Sequence, residues 1–152
     1  MNTTISRSAI LSLLLLLTLS VSAQRRVKTD SLRVTCFLQQ ATEVQAGPDA
    51  IDLGTKEIRL LLTSRTDTVV RAGTTGKVTT LSRADDGTWE IVFHHDDYYF
   101  WISGIREPKV RRQQGVKPDD PIGLINPGDR VEIRLYDFET PVDVKQFMNC
   151  PR

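Results

Sequence analysis

The chain is poor in the side chains that build metal and nucleophile sites: two histidines and two cysteines in 152 residues. A zinc site on the cysteines is not expected, because no third Cys and no well-spaced His accompanies Cys36 and Cys150. Charge of one sign is also missing, with 20 Lys and Arg against 19 Asp and Glu. Long-range attraction to nucleic acid or to an anionic lipid surface therefore has no source. Serine-hydrolase logic fails for want of a G-x-S-x-G turn, and no glycine loop leads into a helix to cradle a phosphate. Helical periodicity is almost absent, as are low-complexity tracts and repeats of fixed period. A lipoyl- or biotinyl-type lysine is also lacking, because Lys77 follows Gly76 without the flanks such a site needs.

Only one apolar run is long, Ala9 to Leu17, and it sits behind the single charge of Arg7. A cationic start, an apolar stretch and a small-residue end at Val21 and Ala23 are the three parts of a secretory signal, so residues 1–23 are expected to be cleaved. The run is short for a membrane-spanning helix, which needs about 20 apolar residues. No stable membrane insertion is expected after its removal. Cleavage leaves 129 residues with 19 basic and 19 acidic side chains. That is enough chain to bury a core unaided, and its destination is the periplasm or the exterior. There Cys36 and Cys150 can form a bridge across 114 residues, with two buried free thiols as the alternative.

The mature chain repeats short β-type runs between Gly, Pro, Asp and Asn breakers, the pattern of an antiparallel all-β domain. Strands are expected at Ser31–Gln39, Glu57–Thr63, Thr68–Arg71, Gly76–Ser82, Thr88–His95, Tyr98–Ser103, Ile122–Ile125 and Arg130–Tyr136. In the hairpin turning at Asp96-Asp97, period two puts Trp89, Ile91, Phe93 and His95 on a core face, and Glu90, Val92 and His94 opposite. Tyr98–Ile102 is so apolar that burial on both sides, or packing against a second sheet, is expected. Residues 106–120 read as a basic surface loop with at most one short strand.

Four blocks in order resemble the lysostaphin/LytM-type peptidoglycan metallopeptidases. Val70 to Val78 is similar to that family's V-x-A-x-x-x-G-x-V turn. Ile91 to Ile105 resembles its V-x-I-x-H-G-x-x-Y-x-T-x-Y-x-H-L hairpin. Val110 to Ile125 resembles V-K-x-G-x-x-V-K-x-G-x-x-I-G-x-x, and Arg130 to Met148 resembles the H-L-H-F-E block, anchored by Pro141-Val142-Asp143. The resemblance implies a two-sheet antiparallel β-sandwich of the duplicated hybrid motif type over residues 55–150, preceded by an N-terminal strand and connecting loop at 24–54.

In active members of that family, zinc is held by the His and Asp of H-x-G-x-D and by the second His of H-x-H, with further histidines as acid/base groups. Carried onto this chain, the H-x-H positions fall on Arg130 and Glu132, and the Y-x-H-L histidine on Gly104. The H-x-G-x-D positions fall near Glu57 and Leu61, with Asp52 or Glu57 available under another register. A guanidinium has no lone pair to offer a metal and glycine has no side chain. No metal, cofactor or catalytic residue is therefore expected. His94-His95-Asp96-Asp97 looks like a ligand cluster, but strand neighbours point to opposite faces.

A groove without metal still implies a binding surface. Trp101, Tyr98, Tyr99, Arg130, Glu132 and Arg134 are its candidate lining, with aromatics for a glycan face and arginines for carboxylates. Core packing for the aromatics and a solvated Arg-Glu-Arg ladder are the plainer readings. Three functions follow: an exported, non-catalytic module that binds peptidoglycan or regulates a cell-wall hydrolase; an active zinc endopeptidase with displaced ligands; and a structural β-sandwich of the envelope.

Overall fold

Eleven strands are present in the computed structural model, which describes residues 32–45 and 58–150. The signal segment 1–23, Ser31, Asp52 and Glu57 fall outside the described residues. The strands are β1 (Thr42–Glu43), β2 (Leu60–Thr63), β3 (Val69–Arg71), β4 (Gly76–Arg83), β5 (Trp89–His95), β6 (Tyr98–Ile105), β7 (Glu107–Pro108), β8 (Gly115–Val116), β9 (Pro121–Leu124), β10 (Arg130–Asp137) and β11 (Thr140–Val142). A short 3-10 turn follows at Val144–Gln146. Among the described residues no helix is long and apolar enough to cross a membrane.

Two antiparallel sheets result. The large one runs β1-β2-β10-β6-β5-β4-β8, with β11 paired to the far end of β10, and the small one runs β3-β9-β7. Alternation decides which face is buried. In β10, Val131, Ile133 and Leu135 are all but inaccessible, whereas Arg130, Glu132, Arg134 and Tyr136 face outward. The same period places Leu60 and Leu62, Ile91 and Phe93, and Phe100 and Ile102 on the inner face. Val70 and Ile122 of the small sheet close over them. Phe93 and Phe100 stack at 4.8 Å across the β5–β6 pair.

Seven of the eight expected strands form, with ends shifted by up to three residues. The exception is Ser31–Gln39, whose described part makes only one parallel bridge, Val34 to Met148. This segment serves as core filler instead. Leu32, Val34, Phe37 and Leu38 are buried, and Phe37 packs 6.1 Å from Phe100. Its backbone is satisfied piecemeal: Thr35 N–H donates to Gly73 O at 2.6 Å, Arg71 N–H to Phe37 O at 2.9 Å, and Val34 N–H to Phe147 O at 2.9 Å. A Cβ at Gly73 would lie 2.6 Å from Val34 and 2.8 Å from Phe37, so glycine is what lets the segment seat. Residues 106–120 contain two short strands, not one, each pairing with the border of a sheet.

Cys36 and Cys150 are bridged, with Cα atoms 5.3 Å apart, which fastens the core-filling segment to the C-terminal end. Asp67 fastens it again. Its carboxylate accepts from Gln39 N at 2.6 Å, Arg71 Nη1 at 2.7 Å and Val69 N at 3.2 Å. Burial opposes ionisation of this group, but those donors outweigh it and hold the carboxyl below the ordinary aspartate range.

Candidate functional site

The outer face of the large sheet is read most directly along its cross-strand rows. In the first row, Leu61 of β2, Glu132 of β10 and Ser103 of β6 are direct partners. In the next, Arg134 of β10 faces Trp101 of β6, and Trp101 faces Val92 of β5. A third row crosses five strands: Pro141, Tyr136, Tyr99, His94 and Lys77.

Glu132 is the hub of the first two rows. Arg59 Nη1 donates to its Oε2 at 3.3 Å, and Arg134 Nε donates to its Oε1. Both oxygens are therefore engaged by guanidinium groups, and the carboxylate side chain keeps only 19% of its surface. The Arg134 guanidinium also lies 5.9 Å from the centre of the Trp101 ring, a cation–π distance. Arg130 is exposed at the start of β10, opposite Thr63.

The third row is a stack. Tyr99 and Tyr136 lie 4.6 Å apart at 9°, and His94 lies 5.4 Å from Tyr99 at 26°. Both faces of the Tyr99 ring are thereby occupied, so it offers solvent its edge and hydroxyl. Burial, then the neighbouring Tyr136 and Glu139, push its hydroxyl pKa upward, which keeps it a neutral donor. Tyr98 points elsewhere and meets Phe147 edge-on at 5.9 Å. Of the two expectations for Tyr98–Ile102, burial on both sides is corrected here: within this run only Phe100 and Ile102 are inaccessible, and they belong to the core shared with Val70 and Ile122 of the small sheet.

The described positions that the family resemblance assigns to metal and acid/base chemistry lie close together on the sheet. Leu61 and Glu132 are register partners. Gly104 lies against Arg130, where a Cβ would be 2.3 Å from the Arg130 carbonyl oxygen. Gly104 also has φ +87°, a left-handed conformation that a histidine would occupy at a cost. Of the three ligand positions carried over, Leu61 is apolar and Glu132 is doubly engaged, whereas Glu57 lies outside the described residues; Arg130, at an acid/base position, offers no lone pair. Among the described residues, no three His, Cys, Asp or Glu side chains group around a common point. His94 and His95 diverge, His94 to Tyr99 and His95 Nδ1 to the Thr75 carbonyl at 2.7 Å.

Thus Trp101, Tyr99, Glu132 and Arg134 share one surface with Arg130 at its margin, whereas Tyr98 does not join them. Sequence reasoning overlooked Arg59, Tyr136 and His94 as members. Period two along the expected strand Glu57–Thr63 and along β10 put Arg59 and Tyr136 within reach of such a reading, but the cross-strand register needed the fold.

No family profile matches the chain, and no curated protein is similar to it in sequence. Solved structures are similar in shape. Csd3 of Helicobacter pylori superposes with a TM-score of 0.64 at 10% identity, covering 80% of this chain and 34% of that one. Lysostaphin gives 0.61 at 14% identity, covering 81% and 58%. A structure of the SpoIIQ–SpoIIIAH pore-forming complex gives 0.60 at 15% identity, covering 80% of this chain and 94% of that one. The chain thus spans about a third of the Csd3 chain. With its two antiparallel sheets and these matches in shape, the chain has the lysostaphin/LytM-type fold.

Proposed function

We propose that this chain is an exported, non-catalytic LytM-like module that binds peptidoglycan or regulates a cell-wall hydrolase, using the outer face of its large sheet. The observation that carries the reading is Glu132. It stands where the resemblance puts a zinc ligand, yet Arg59 and Arg134 take both of its oxygens. Two positive charges beside that carboxylate repel a divalent cation, and separating them from it would leave charges unpaired. Hydrolytic zinc needs three protein donors and an open water position. Of the three ligand positions carried over, Leu61 is apolar, Glu132 is held by two arginines and Glu57 lies outside the described residues, while the acid/base positions are Gly104 and Arg130.

The same face suits binding. Trp101 with Arg134 offers an aromatic and cationic surface, and Arg130 supplies an exposed guanidinium for carboxylates. Lysostaphin and a zinc-containing peptidase of Vibrio cholerae have the fold, and so does a structure from a pore-forming complex. The fold is therefore compatible with both enzymes and assembly components, and the donor set favours the second kind.

The test is co-sedimentation of the purified chain with isolated peptidoglycan, together with the effect of the chain on a wall hydrolase from the same envelope. Binding or a changed hydrolase rate is expected, and Trp101→Ala should weaken it about tenfold without altering the melting temperature by more than a few degrees. The proposal falls if neither effect occurs, or if the chain carries stoichiometric zinc and itself releases soluble wall fragments.

A further inference from the structure

Strand β4 is paired on both sides for only part of its length. On one side it pairs with β5 from Lys77 to Arg83. On the other, β8 meets only Gly76 and Lys77. The turn before β8 adds two bonds at Val78, where Gln113 N–H donates to Val78 O and Val78 N–H to Gln114 O, both at 2.8 Å. Beyond Val78 no described strand reaches that border of the large sheet.

Alternation identifies the backbone groups left over. Ala84 N–H donates to Thr88 O, so Ala84 and Ser82 turn toward β5, whereas Arg83 and Leu81 turn away from it. Val78 also turns away, and the irregular register between Val78 and Thr80 supplies the extra residue that reconciles the two phases. The N–H and C=O groups of Leu81 and Arg83 therefore stand along an open edge, at every second residue, as an added strand requires.

Cations mark both ends of this edge. Arg83 is exposed at one end, and Arg111 and Arg112 are exposed on the turn that abuts Val78 at the other. None of the three takes part in an ion pair found among the described residues. Of the acids close by, Asp86 accepts from Thr88 N–H at 2.9 Å and from Thr88 Oγ1 at 2.7 Å, Glu90 lies 3.5 Å from Ser82 Oγ, and Asp85 is exposed on the adjoining turn. Bulges and cations are how an edge is kept from pairing with its own kind. An antiparallel second copy would bring Arg83 of one chain to the arginine turn of the other, and like charges there oppose it. The same charges favour a strand that carries carboxylates.

We propose that the open edge of β4 receives an extended, acidic segment of a partner protein as an added strand. Its main chain bonds to Leu81 and Arg83, and its carboxylates meet Arg83, Arg111 and Arg112. This contact uses the border of the sheet and is independent of the function proposed for the outer face.

The test is amide hydrogen exchange of the purified full chain, read residue by residue by NMR, with and without about 1 mM of a synthetic peptide of about eight residues alternating valine and glutamate. In the free chain the amides of Leu81 and Arg83 should exchange faster than that of Ser82, and the peptide should slow both by about tenfold. A peptide with lysine in place of glutamate should give no protection. Neither should the acidic peptide with every amide N-methylated, which keeps its charge but has no N–H for the ladder. Arg111→Glu with Arg112→Glu, and separately Arg83→Glu, should each weaken the protection about tenfold while circular dichroism shows an unchanged fold. The proposal is overturned if Leu81 and Arg83 gain no protection, if the N-methylated peptide binds as tightly as the unmethylated one, or if the peptide shifts only the resonances of Trp101 and its neighbours. Protection that appears without peptide as the chain is concentrated also overturns it, by making a second copy the occupant.

Discussion

Single positions in this chain carry opposite kinds of backbone strain, and each makes a measurable prediction. Phe138 and Asp96 hold left-handed backbone without being glycine. Phe138→Gly should therefore raise the unfolding free energy by about 0.5–1 kcal/mol in urea titration, since the relieved strain exceeds the extra chain entropy. Gly104→Ala should do the reverse and cost about 2–4 kcal/mol, because φ is +87° and the added methyl meets the Arg130 carbonyl. Titration acts at this scale too. Asp67 is held below its ordinary value of about 3.9, because its three donors outweigh burial. Asp129 is held low by Arg106 above all, against a smaller effect of burial. A carboxyl with a depressed folded value contributes stability that is complete above its unfolded value and is lost as the pH falls through the folded one. The melting temperature should be flat from about pH 5 to 7 and drop below about pH 4. The Asp67→Asn variant should show a shallower drop.

At the scale of elements, the packing of the core-filling segment and its covalent fastening can be separated. Phe37→Ala should cost about 3–5 kcal/mol, the usual loss for a buried phenylalanine, since its ring is inaccessible and meets Phe100. Replacing Cys36 and Cys150 by alanine should cost about 2–5 kcal/mol by freeing a loop of 114 residues in the unfolded chain. Both are read from urea midpoints. The strands were largely legible because β10 alternates cleanly between polar and apolar residues and because Gly, Pro, Asp and Asn breakers bound the other apolar runs. Ser31–Gln39 misled for a definite reason. Its apolar residues satisfy a strand pattern, but the slot they enter offers partners on scattered segments, so no ladder forms. The pairs β7 and β8 are two residues each, too short for any periodicity to register. Burial of Tyr98–Ile102 on both sides was misread because aromatic content mimics burial: on the outer face Tyr99 stacks on Tyr136 and Trp101 takes the Arg134 guanidinium.

For the whole molecule, the resemblance in four separated blocks matches the shape comparison, and among the described residues the positions carried over from it, Leu61, Gly104, Arg130 and Glu132, lie near one another on the sheet. The chemistry there was only half legible: Arg130 and Glu132 could be named, but the embrace of Glu132 by Arg59 and Arg134 depends on the β2–β10 register. The account as a whole rests on that embrace standing in place of a hydrolytic centre. The most direct measurement is the release of soluble fragments from purified peptidoglycan by the full chain supplied with excess zinc. No release above the buffer control is predicted while the chain remains folded. Fragment release that a chelator abolishes would contradict the account.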